Sequence, residues 1–163
     1  MANRKTLQPT EYAKHRYNIT EPLDFKLAVD YSVILMAIAG ADGELSAAEI
    51  QWYIDEQKLL VVDSEEYIEA IRNADWKNIN IKEALEAFLA ESQLPLNARL
   101  GILYQAIKMC RADNEYHKDE KAAIDKAAQI LGVKREVVTA LESTAELEET
   151  TDRLRLSLLG AGV

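Results

Sequence analysis

Cysteine is almost absent: Cys110 is the single one in 163 residues. No intrachain disulfide and no Cys-rich zinc or iron–sulfur site can be built from it, and a reducing, cytoplasmic compartment is the expected location. Two histidines and no Gly-x-Ser-x-Gly leave little material for a nucleophile–His–acid arrangement, and no glycine-rich phosphate loop occurs. The chain is therefore expected not to be an enzyme. Basic charge is outweighed, with 19 Lys and Arg against 28 Asp and Glu, a net −9. Phosphate backbones repel such a surface, so nucleic acid is not an expected partner. The longest apolar stretch, Val33 to Ala39, is about a third of the roughly 20 residues that a membrane span needs. The polar N-terminus lacks the apolar centre of a signal peptide.

Proline (3) and glycine (6) are scarce, whereas apolar residues make up 48% of the chain. Few breakers and many helix formers predict an all-α fold with a real core. Residues 1–20, with Arg4, Lys5, Lys14 and Arg16 against Glu11, read as an irregular basic arm that Tyr12 and Tyr17 pin to the body. From residue 21 to 163 the punctuation predicts one domain, a bundle of about seven helices. Thr20 and Pro22 mark the first start, Ser46 with Glu49 a capping box, and Asp63 or Ser64 the third start. Asn80 with Glu83 opens the fourth helix and Leu96 or Asn97 the fifth. The sixth runs from His117 to Leu131 and is closed by Gly132. A seventh follows from about Lys134, with a break in prospect at the Glu- and Thr-rich stretch 142–152.

The most informative feature is a degenerate repeat. Shifted by 71 residues, Ala41-Asp42-Gly43-Glu44 with Glu49 falls on Ala112-Asp113-Asn114-Glu115 with Glu120. The unit, about 23–74 and again 95–144, is apolar helix, acidic loop, helix, helix. Face-to-face packing of two such units is pseudo-twofold and brings both loops to one end. Asp42 and Asp113 follow helix C-termini, where the dipole disfavours negative charge, and a cation would offset them. Ca²⁺ takes about six to eight oxygen ligands and Mg²⁺ about six, more than one loop offers, and neither loop has the EF-hand spacing. Pooled, Asp42, Glu44, Glu49, Asp113, Glu115 and Glu120 make a candidate site for a divalent cation, Ca²⁺ or Mg²⁺ first and Zn²⁺ as an alternative.

Plainer roles compete at each position. Capping explains Glu49, turn geometry explains Asp42 and Asp113, and Glu44 and Glu115 read as solvated. His117 reads as a cap or solvated group with nitrogen ligation as the alternative. His15 reads as surface, and Cys110 as a small core residue. Trp52, Trp76 and the tyrosines read as packing. A metal-free interaction module docking a basic or membrane-bound partner is the competing functional reading.

Ala-Asp-Gly-Glu-Leu-Ser-Ala-Ala-Glu (41–49) after an apolar helix, with Ala-Asp-Asn-Glu-Tyr-His-Lys-Asp-Glu (112–120) later, resembles the TerB family of tellurite-resistance proteins and the related N-terminal domain of the DjlA co-chaperones. The resemblance spans about residues 23–140. It implies a compact helical bundle, a divalent-cation cluster at Asp42, Glu49, Asp113 and Glu120, and a stress role exercised through complexes with membrane partners. Asn114 departs from the glycine usual there.

Overall fold

A computed structural model describes residues 4–160, so the outer ends of the expected arm and domain, 1–3 and 161–163, lie outside it. The described residues form eight helices and one two-stranded sheet, which bears out the all-α expectation. The helices are α1 (Glu11–Tyr17), α2 (Phe25–Ala39), α3 (Ala47–Leu60), α4 (Glu65–Arg72), α5 (Ile81–Ser92), α6 (Leu96–Cys110), α7 (Lys118–Leu131) and α8 (Arg135–Gly160). The strands β1 (Thr6–Leu7) and β2 (Leu23–Asp24) pair antiparallel, Leu7 opposite Leu23.

Two helices carry the core. The sequence of α2 is apolar on every side in its second half, and Ile34 through Ala39 are all buried. In α6, Ile102, Leu103 and every residue from Gln105 to Cys110 are buried. Helices apolar all round must be enclosed. Accordingly α2 and α6 pack on each other; α4, α5 and α7 also cover α2, while α3, α7 and α8 also cover α6. A hydroxyl chain ties α2 to its cover: Ser32 Oγ lies 2.7 Å from Tyr53 Oη and 3.0 Å from Tyr67 Oη. Tyr67 in turn donates to Gln57 at 2.9 Å.

Three expectations need correction. The arm is not irregular, since Thr10 caps α1 by accepting from Ala13 N at 3.1 Å, and Pro9 stands just outside the helix. Its tyrosines do pin it: Tyr12 and Tyr17 donate to buried Glu56 at 3.0 and 2.7 Å. The first core helix is capped by Asp24, not Thr20, with Asp24 Oδ1 accepting from Leu27 N at 3.0 Å. Pairing of Leu23–Asp24 with β1 keeps the chain extended past Pro22. Finally, α8 is unbroken across 142–152. Thr144 and Thr150 donate to carbonyls one turn back, Glu148 is held by Arg16 and Tyr104, and Glu149 by Arg111.

Candidate metal centre

The two central helices end in the two acidic loops, and both loops close with the same hydrogen bonds. Gly43 N donates to Gly40 O at 2.9 Å, as Asn114 N does to Arg111 O at 3.0 Å. Asp42 Oδ1 accepts from Glu44 N at 3.0 Å; Asp113 Oδ1 accepts from Glu115 N at 2.9 Å. The residues that follow these aspartates, Gly43 (φ 101°) and Asn114 (φ 66°), have left-handed backbone. Glycine adopts that region freely and asparagine is among the residues that tolerate it best, so Asn114 keeps the turn.

The glutamates then lean back toward the loops from the first turns of α3 and α7. Glu49 completes the box with Ser46: its side chain accepts from Ser46 N and its amide donates to Ser46 Oγ, both at 3.2 Å. Glu120 Oε1 accepts from His117 N at 3.0 Å at the start of α7. Both glutamates are buried, 1% and 0% exposed. Capping uses up only part of each carboxylate. Among the described residues Glu120 Oε2 is buried with no hydrogen-bond partner, the weakly donating Cys110 thiol being the neighbour of this carboxylate.

The loops meet. Glu49 of the first lies against Asp113 of the second, and Glu120 of the second faces Asp42 of the first. His117 Nε2 lies 3.8 Å from Asp42 Oδ2 and 2.9 Å from Glu115 Oε2. Two sets of donor atoms are gathered within 4.8 Å of one another: Asp42, His117 and Glu120, and Asp113, Glu115 and His117. Of the six carboxylates expected together, Glu44 alone is in neither set and in no cross-loop contact; it is exposed, and its recorded role is the donation of its amide to Asp42. Glu49 reaches the cluster through Asp113. His117 is the residue that sequence reasoning undervalued. Its position next to the second motif was the available signal, but its reach to Asp42 is a contact across 75 positions of chain.

The electrostatics are those of crowded acids out of water. Burial, then the neighbouring Asp113 and Glu120, push the Glu49 carboxyl up to about 8. Burial likewise raises Glu120, with Asp42 and Asp113 adding to the shift. The buried Cys110 thiol, beside Glu120, is held well above its ordinary range by burial and by these acids, the opposite of a reactive thiolate. The nearby cation Arg111 is engaged elsewhere, by Glu149 at 3.0 Å. A buried, unpartnered carboxylate oxygen among carboxylates and one imidazole fits a hard or borderline dication. Oxygen donors suit Ca²⁺ and Mg²⁺, and a nitrogen among them also admits Zn²⁺.

A family model described as "Tellurite resistance protein TerB" matches residues 34–143, more than half of the chain and inclusive of both loops. A crystal structure of a tellurite resistance protein from Nostoc punctiforme PCC 73102 superposes with a TM-score of 0.73. The two sequences are 28% identical, over 91% of this chain and 89% of that one. Among curated proteins, none matches.

Proposed function

The chain belongs to the TerB family, and from that premise we propose a non-enzymatic role in tellurite resistance and related stress, exercised through a divalent cation held between the two acidic loops. The observation that carries the reading is Glu120 Oε2, an acceptor buried without a partner in a cluster of acids. Leaving such an atom bare is costly, and a cation removes the cost. Asp42, Asp113, Glu120 and His117 would hold the ion, with Glu49 and Glu115 completing or orienting the set. Glu44 would lie at the edge. When bound, the ion supplies charge neutralisation and a link between the loops. The matched hydrogen bonds of the loops support reading the chain as two copies of one unit.

Calorimetric titration of the chelator-treated protein with Ca²⁺, Mg²⁺ and Zn²⁺ tests the site. Saturable binding that is lost in Asp42→Asn with Asp113→Asn is the expected result. Binding of the same strength in the double variant refutes it. The competing reading, a metal-free module whose acidic face docks a basic or membrane-associated partner, predicts no saturable heat with any of the three ions. No helix among the described residues is long and apolar enough to cross a membrane.

A further inference from the structure

Beside the first acidic loop, and distinct from the carboxylate cluster, a cavity of about 480 Å³ opens between α2, α3, α4 and the segment that follows α4. Its walls include Leu45, Ile50, Ile71 and Trp76. The Trp76 wall is fixed by its seat: the six-membered ring lies where a Cβ on Gly40 would be, so only glycine admits it. At the opening stand Arg72 and Lys77, the latter with Nζ 5.7 Å from the Trp76 ring centroid. Neither cation forms an ion pair among the described residues. One acid, Glu44, lines the same opening. On a chain of net −9, a recess lined by polar and apolar surface in about equal measure, with two uncommitted cations against one acid, is a local inversion of charge. A preformed cavity of a few hundred Å³, apolar within and marked by a few polar groups, is the usual form of a small-molecule site.

We propose that this cavity binds a small amphiphilic anion, with its apolar body against Trp76 and Ile71 and its anionic head between Arg72 and Lys77. The apolar walls give affinity without direction. The two cations give sign selectivity, since a carboxylate or sulfonate head gains from both while an ammonium head is repelled by both. The proposal does not depend on a metal in the neighbouring cluster.

Octanoate, octanol and octylammonium share one tail and differ in head charge, so they separate the two contributions. The titration is run with chelator present on a Trp52→Phe background, in which Trp76 is the remaining tryptophan reporter. Octanoate is expected to change the Trp76 emission saturably, octanol more weakly, and octylammonium least. Arg72→Gln with Lys77→Gln, both exposed positions, should weaken octanoate roughly three- to tenfold and leave octanol unchanged. Ala74→Leu, which fills the cavity from its lining, should weaken octanoate and octanol alike. Octylammonium binding as well as octanoate, or an octanoate affinity unmoved by the charge-removing pair, overturns the proposal. So does a map of amide chemical shifts that places the octanoate response away from α4 and Trp76.

Discussion

His117 Nε2 and Asp42 Oδ2, from loops 75 residues apart in sequence, lie 3.8 Å from each other. That contact joins the N-terminus of α7 to the C-terminus of α2 and turns two ordinary turns into one cluster. Protonated, His117 is a partial stand-in for a cation there; neutral, it is a nitrogen donor to one. His117→Ala should therefore weaken binding of Zn²⁺ more than of Ca²⁺, because imidazole suits the former and carboxylate oxygen the latter. Competitive titration with a metal-sensitive dye reads the ratio, and an equal loss for both ions would contradict a ligand role for the ring.

Glu49 titrates high because it is buried against other acids. Its folded-state value, about 8, exceeds an unfolded value near 4.3, so the folded protein holds more protons over that interval. The stabilising contribution is complete below the unfolded value and is lost as pH rises through the folded one. Without metal, Glu49→Gln should thus gain stability relative to the parent as pH goes from about 5 to 8, by about 1–3 kcal/mol at the upper end. Urea denaturation in chelator at stepped pH measures the difference. A difference that stays flat with pH would show that Glu49 ionises as an ordinary carboxylate.

Were Glu49 to complete the ligand set of a bound cation, the same proton would leave, because ligands coordinate deprotonated. Divalent binding at pH 7 is expected to release close to one proton and to tighten toward pH 8. Calorimetry in buffers of different ionisation enthalpy gives the count, and the release should shrink in Glu49→Gln.

Gly40 admits the Trp76 ring, and its backbone is otherwise unremarkable, at φ −88°. Gly40→Ala should accordingly cost about 1–3 kcal/mol through overpacking and not through backbone strain. Denaturant unfolding gives the loss, and a red shift of the tryptophan emission marks the displaced indole. A stable variant with unchanged emission would mean that the ring is not lodged there.

Ser32 Oγ, with Tyr53 and Tyr67 around it, is a buried junction. Ser32→Ala removes the hydroxyl that lies 2.7 Å from Tyr53 Oη in an enclosed site, at a cost of about 1–3 kcal/mol. The double variant Ser32→Ala with Tyr53→Phe should recover part of that loss, since both polar groups are then gone. A double-mutant cycle of denaturation midpoints checks the sign.

What the sequence by itself determined is what is set within one helical turn. Ser46 with Glu49, Asn80 with Glu83 and the glycine after Leu131 mark their helix ends because a cap bonds to an amide or carbonyl three or four residues away. The two Asp-x-Glu loops were legible for the same reason, whereas the all-round burial of α2 and α6 came only with the fold. Where a local signal competed with a distant partner, tertiary structure decided. Thr20 and Pro22 lost to Asp24 because β1 holds the chain extended, and the acid-rich part of α8 stayed helical because Arg16 and Arg111 reach it from other helices. The meeting of Asp42 with His117, the raised carboxyl of Glu49, the bare oxygen of Glu120 and the cavity under Trp76 belong to that second class. Each depends on how α2 and α6 are enclosed by their neighbours, and burial energies carry no record of sequence distance.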